Sequence, residues 1–133
     1  MKEKLIKYLS IFGLSFAMIF ACSGTVFAAK NASKSTPYGT LSGMISPYNS
    51  GGNKMCDGGT FIGSNVQTIK VKIEAKKTST GANISSTQNQ RKNNSSVGDT
   101  LVLNGYTGTK VTFYGTHDAI HTTGYHVYTS TQY

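Results

Sequence analysis

Hydrophobic residues follow two different patterns along this chain. Residues 9–20 form one short, almost uninterrupted apolar run, and positive charges precede it. From Tyr38 onward, apolar residues alternate instead with polar ones, and clusters of Gly, Asn, Ser and Thr separate the alternating segments. A period of two is typical of strands with one buried face, whereas such clusters are typical of turns. The second pattern therefore predicts an all-β domain.

The clearest strand is predicted for residues 66–77. Its apolar and charged residues fall on opposite faces, with Ile69, Val71, Ile73 and Ala75 on one side and Lys70, Lys72, Glu74 and Lys76 on the other. Because side chains two positions apart share a face of a strand, one face is expected in the core and one in water. Further strands are expected at residues 38–45, 60–62, 84–91, 100–103, 110–115 and 125–131. About seven strands favour a small antiparallel β-sandwich.

The remaining segments complete the predicted organisation. Residues 1–29 are interpreted as a signal peptide, 30–37 as a flexible leader and 38–133 as a single β-sandwich domain. Residues 46–59 are rich in Gly and Asn and are predicted to form a long surface loop, where a sandwich often carries its function. Residues 91–96 are predicted to form a turn, and residues 116–124 to connect two strands.

The N-terminal segment has the parts of a secretory signal peptide. Lysines precede the apolar run, and Val26-Phe27-Ala28 resembles an A-x-A cleavage site. The run is much shorter than the ~20 apolar residues that a membrane-spanning helix needs, which favours cleavage over an anchor. A lipoprotein is the alternative, because the residues before Cys22 resemble a lipobox, although Phe20 is bulky for its position. Both interpretations predict a secreted or cell-surface protein.

Cleavage would leave a strongly basic domain. Without three lysines and Glu3, the 13 basic and 5 acidic residues become 10 and 4, a net charge of +6. Such an excess favours anionic partners through attraction that salt weakens, or else serves only to keep the domain soluble. Outside a cell the expected partners are an anionic cell-wall polymer or a membrane surface. Nucleic acid is not an expected partner, because an exported protein is separated from the usual nucleic-acid targets and no recognition motif is present.

Lysines supply the candidate binding surface. Lys70, Lys72 and Lys76 emerge from one face of the predicted strand, where same-face neighbours lie about 6.6–6.8 Å apart. Tyr48, in the predicted long loop, is expected to contribute to contact. The alternative is an ordinary solvated face, whose lysines discourage edge-to-edge association of strands.

Histidines supply the candidate metal site. His117, His121 and His126 lie within ten residues of one another and beside Asp118, and imidazole with carboxylate suits zinc or copper. The H-x3-H spacing is useful mainly on a helix, which these residues do not favour, so histidines that only form hydrogen bonds in a loop are the alternative. A pH sensor that strengthens surface binding in mild acid is a third hypothesis.

No catalytic motif accompanies these residues. The remaining cysteine, Cys56, lacks a recognisable catalytic setting and is expected to be a buried, inert thiol, and the four acids are scattered along the mature chain. In composition the chain is similar to small exported proteins of Gram-positive bacteria, including bacteriocin-like proteins. The favoured hypothesis is a secreted, non-catalytic cationic β-domain that binds an anionic envelope surface. A bacteriocin-like antibacterial protein and a metal-dependent extracellular enzyme are the alternatives.

Overall fold

A computed structural model describes residues 30–133, so the predicted signal peptide and Cys22 lie outside the described residues. The described chain is all-β, with 81% of it in strands. The strands are β1 (Asn31–Thr36), β2 (Gly39–Ser50), β3 (Asn53–Lys77), β4 (Asn83–Asn104), β5 (Val111–Ile120) and β6 (Gly124–Gln132). They form an antiparallel sheet that nearly closes into a barrel-like sandwich, which confirms the predicted fold class. No helix in this part of the chain is long and apolar enough to cross a membrane.

The long strand β3 organises the sheet. Its first half pairs with β2 and its second half with β5, while β4 pairs with both halves. The register between β3 and β4 shifts between Phe61 and Val66, which marks a corner where the sheet folds over. As a result, Gly58 in the first half of β3 faces Ile73 in the second half.

The folded sheet has two layers. The first layer contains β1, β2, the first half of β3 and the second half of β4; the second layer contains the remaining halves with β5 and β6. The core between them is built from the buried apolar faces of all strands except β1. Its largest members include Leu41, Ile45, Ile69, Ile73, Val71, Val111 and Phe113. The predicted inward face of residues 66–77 is confirmed, since its four apolar residues are at most 1% exposed.

The predicted long loop at residues 46–59 is wrong. Strands β2 and β3 run through this segment as a hairpin, joined only by Gly51 and Gly52, which both have positive φ (57° and 82°). A two-residue turn with positive φ at both positions matches the twist of an antiparallel hairpin, and glycine adopts it without strain. The glycine-rich composition here marks a tight turn. Strand β3, which follows the turn, carries Cys56 into the core.

Two other segments are more regular than the sequence predicts. Where a flexible leader is predicted, β1 pairs with β2 from Asn31 opposite Met44 to Thr36 opposite Gly39. Main-chain hydrogen bonds suffice for this pairing, so no hydrophobic alternation announces it. The predicted turn at residues 91–96 lies inside β4, where Asn93 has φ 50° as the strand passes the corner. Two pairs of predicted strands are thus each one long strand, β3 and β4, and with β1 added the described chain has six strands in place of about seven.

Candidate binding surfaces

The predicted lysine stripe lies on the outer side of the second layer. There β4, β3, β5 and β6 are neighbours, so the stripe is part of a surface four strands wide. We call the part of this surface on β3, β5 and β6 the lysine face; it consists of Lys70, Lys72, Glu74 and Lys76 of β3, Tyr114 and Asp118 of β5, and His126 and Tyr128 of β6. The register places Lys70 beside Asp118, and Asp118 beside His126.

Both acids of the lysine face are engaged within it. Lys72 Nζ lies 3.0 Å from Glu74 Oε2, with both side chains about two-fifths exposed. His126 Nδ1 lies 2.6 Å from Asp118 Oδ1. Lys70 and Lys76 have no ion pair among residues 30–133. The net charge of the face is therefore smaller than its lysines alone suggest, but two ammonium groups remain available.

Tyrosines flank the lysines of this face. Lys76 Nζ lies 5.7 Å from the centre of the Tyr114 ring, within the range of a cation–π contact. Burial raises the pKa of Tyr114, and the nearby Glu74 carboxylate raises it further. Burial, followed by the charge of Asp118, has the same effect on the pKa of Tyr128. Both phenols therefore stay protonated near neutral pH.

Tyr48 does not belong to the lysine face. It lies on the outer side of the first layer, opposite Met55 in the β2–β3 hairpin. Its hydroxyl donates to Asp57 Oδ1 (3.2 Å), which also accepts from Thr100 Oγ1 (2.7 Å). Desolvation and the Asp57 carboxylate raise the pKa of Tyr48. The structure thus separates this predicted binding residue from the three lysines.

The residues of the predicted metal site do not meet. His117 and Asp118 are neighbours on β5 and point to opposite sides of the sheet, as successive residues of a strand must. His121 lies in the turn after β5, with its ring centre 4.7 Å from that of Tyr38, and only His126 contacts Asp118. Within residues 30–133, no group of three or more His, Cys, Asp or Glu is placed to hold a metal ion.

His117 instead joins the two layers from inside. It is completely buried, with Nδ1 2.9 Å from Thr60 Oγ1 and Nε2 2.9 Å from Thr129 Oγ1. Thr60 Oγ1 donates its own hydrogen to the carbonyl of Lys70, so it accepts from Nδ1–H, and Nε2 accepts from Thr129. Desolvation lowers the pKa of His117, and the charge of Asp118 offsets this shift only in part. The resulting pKa is about 4.

The space for this imidazole comes from two glycines. A Cβ on Gly43 would overlap the His117 ring, and one on Gly115 would lie 2.7 Å from Nε2. The sequence does indicate that His117 is buried. It is an even number of positions from Val111 and Phe113, and such residues lie on the same face of a strand. Extending the predicted strand beyond residue 115 would have placed His117 in the core.

Two further groups prove unavailable to partners. Lys54 is 3% exposed; its Nζ donates to the main-chain oxygen of Tyr133 (3.0 Å) and lies 4.7 Å from the Tyr133 ring centre. Burial lowers the pKa of Lys54. Cys56 is fully buried, and desolvation raises its pKa to about 12. Because the thiolate is the nucleophile, a protonated, buried thiol does not favour cysteine chemistry.

Sequence reasoning missed a surface on the first layer. Met44 and Phe61, on neighbouring strands, are 42% and 44% exposed, and a shallow depression of about 250 Å³ lies on one side of them. Asp57 and Arg91 contribute to its lining. Met44 and Phe61 are each followed by an isoleucine, so they show no clear amphipathic pattern, and only the pairing of β2 with β3 brings the two side chains together.

No model of a protein family matches this chain, and comparison with curated proteins and with solved structures finds no match either.

Proposed function

We propose that the protein is a secreted, non-catalytic cationic β-domain that binds an anionic polymer of the bacterial envelope through the lysine face. The observation that carries the proposal is the pairing of both acids of this face with neighbours on the same face. With Glu74 and Asp118 paired in this way, Lys70 and Lys76 form no ion pair among residues 30–133. An anionic ligand would supply the missing partner.

The shape of the lysine face favours a polymer over a small ligand. Neighbouring strands are about 4.7–4.9 Å apart and same-face residues about 6.6–6.8 Å apart, so its donors form a flat grid. An exposed ion pair contributes only about 0–1 kcal/mol and is weakened by salt. Useful affinity therefore requires several contacts at once, which a chain of repeated anionic groups provides.

The position of the exposed apolar residues favours a wall polymer over lipid head groups. The exposed large hydrophobic residues of the described chain are Met44, Phe61, Val102 and Tyr133, and none belongs to the lysine face. Binding at a membrane interface is strengthened when apolar side chains enter the head-group region together with the basic residues. The lysine face offers charge and tyrosine without such an anchor.

Co-sedimentation of the exported protein with intact Gram-positive cells tests this proposal. The variant K70E/K76E reverses the two unpaired charges, and K30E/K34E makes the same change in net charge at exposed lysines at β1 in the first layer. We expect strong, salt-sensitive binding by the wild type and by K30E/K34E, and a large loss for K70E/K76E. Equal loss in both variants would show that only net charge matters, and unchanged binding by K70E/K76E would refute the proposal.

Counting surviving cells in the same samples separates the bacteriocin-like alternative. Binding with full survival supports a docking role, whereas binding with loss of viability supports an antibacterial one. The metal-dependent enzyme receives no support from the geometry, because His117 is inside the core while Asp118 and His126 are outside it.

A further inference from the structure

Exposed apolar side chains are concentrated on the outer side of the first layer. Met44, Phe61 and Val102 all lie there, in three adjacent strands. Exposed apolar groups that cluster, in contrast to single ones, mark sites of interaction. This surface is on the opposite side of the sandwich from the lysine face, so it requires its own explanation.

Phe61 and Met44 form what we call the aromatic platform. A Cβ on Gly59 would lie 2.8 Å from Cε2 and Cζ of Phe61, so the ring lies directly over this glycine. The same Cβ would be 3.8 Å from Met44 Cγ, which places both side chains over one bare stretch of β3. With one side against the backbone, the ring leaves its other side to solvent. The glycine thus positions an open aromatic surface.

A shallow depression with polar residues in its lining lies on each side of the aromatic platform, and the platform residues line both. The depression of about 250 Å³ includes Asp57, Arg91 and Ser96. The second, of about 390 Å³, includes Asn31, Ser33 and Ser42 and no charged residue. The first is smaller than the roughly 300–1,000 Å³ pockets that enclose small ligands, the second is near their lower limit, and both are open to solvent. A ligand must therefore lie across the surface, with its ends in the two depressions.

The charge of this surface selects the class of ligand. One acid and one base line the first depression, and their charges cancel. An anionic polymer is attracted to the lysine face and gains nothing here, and a lipid surface would meet Asp57. A neutral ligand needs apolar contact on one side and hydroxyl or amide partners around its rim. A sugar ring has this combination, with C–H bonds on its faces and hydroxyl groups at its edge.

We infer that the aromatic platform binds a neutral polysaccharide, with one sugar stacked on Phe61 and its neighbours in the two depressions. The Asp57 carboxylate accepts hydrogen bonds from sugar hydroxyls, and Arg91 donates to them. This site does not depend on the lysine face, and it would let one domain hold two chemically different chains of an envelope.

The absence of tryptophan from the sequence makes a direct test possible. The variant F61W introduces a single tryptophan at the platform, and its fluorescence is titrated with millimolar tetrasaccharides of glucose and of N-acetylglucosamine. We expect a saturable change with at least one of them, which persists in about 1 M salt, where the screening length is only ~3 Å. No change with either tetrasaccharide would overturn the inference.

Calorimetry of the unlabelled protein provides the matched comparison. F61A should weaken binding of the responsive tetrasaccharide by at least about tenfold, or ~1.4 kcal/mol. V102A removes an equally exposed side chain from the same layer, away from the platform, and should leave affinity unchanged. Equal loss in V102A would refute a platform-specific site. K70E/K76E should bind the sugar normally, which separates failure of this inference from failure of the proposed function.

Discussion

The two outer faces of this sandwich are built on the same long strand and differ in almost every chemical property. The second half of β3 presents Lys70, Lys72 and Lys76 to solvent, whereas its first half presents Met55, Asp57 and Phe61. One face is suited to anions and the other to neutral ligands. Since a register shift separates the halves, a single strand contributes to both layers without mixing their chemistry.

The difference shows that charged residues determine the properties of one face and glycines those of the other. On the lysine face, side chains project from a regular grid and interact mainly with one another. On the first layer, Gly59 lets the Phe61 ring lie over its own strand. Both faces depend on the core that holds the layers together, and the most damaging substitutions should act there.

Replacement of His117 by alanine should have the largest effect, because it affects both faces at once. It removes a fully buried ring and leaves the hydroxyls of Thr60 and Thr129 without their present partner. We expect a loss of about 4 kcal/mol in the free energy of unfolding. Urea denaturation measures it, with H126A on the lysine face as the control. A loss below that of H126A would contradict the role of His117 in joining the layers.

Acid should weaken the fold through the same residue. The pKa of His117 is about 4 in the native state against 6.5 for an unperturbed histidine, so the unfolded chain binds more protons between these values. Stability is therefore retained above about pH 6.5 and falls as the pH drops towards 4, by about 3 kcal/mol in total. Urea denaturation across this range should show the fall.

The variant H117Q is the control for this pH effect, because glutamine keeps hydrogen-bonding groups without titrating. Its stability should be lower at neutral pH but should change less between pH 6.5 and 4. A pH dependence as steep as that of the wild type would assign the effect to other groups. His117 is also removed from the proposed pH sensor, which leaves His126 as the histidine on the lysine face.

Substitutions at the adjacent glycines Gly58 and Gly59 should differ in their cost to stability, because Gly58 faces the core and Gly59 faces the outer side of the first layer. A Cβ on Gly58 would lie 2.8 Å from Ile73 Cδ1 in the core, whereas one on Gly59 would displace the exposed Phe61 ring. We expect G58A to cost about 1–2 kcal/mol, partly restored by I73V, and G59A to cost less than about 1 kcal/mol. Thermal or urea unfolding tests this order, and a larger cost for G59A would contradict it.

G59A should nevertheless reduce saccharide binding more than G58A does. The added methyl group occupies the place of the Phe61 ring, so the aromatic platform is disturbed while the fold remains intact. If the two variants bind equally well at a temperature where both are folded, the position of the ring over Gly59 has no role in recognition.

These glycines also explain which parts of the structure the sequence predicts. Residues 66–77 alternate between β-branched residues and lysines, so their two faces follow from a period of two. Residues 53–61 form an equally regular strand, but Gly58 and Gly59 replace the side chains that would show the pattern. Packing against Ile73 across the fold requires Gly58, and the nearby Phe61 ring of the same strand occupies the space that Gly59 leaves.

The candidate sites divide in the same way. The three lysines were predictable because they repeat along one strand, whereas the contacts of Lys76 with Tyr114 and of Asp118 with His126 depend on neighbours in space. The aromatic platform requires the β2–β3 register and was not predictable from composition. The histidine cluster misled for the opposite reason, since closeness in sequence places adjacent residues of a strand on opposite sides of the sheet.

The smallest effect on stability should come from Glu74, although its effect on binding should be distinct. E74Q removes an exposed ion pair with Lys72, for which we expect a change of less than about 0.5 kcal/mol. It also frees a third ammonium group, so co-sedimentation with cells should become stronger at low salt. D99N changes the net charge equally at an acid outside the lysine face and should increase binding less. An equal gain in D99N would mean that binding depends on the total charge of the protein. The charges of the lysine face would then not distinguish it from the other face in binding.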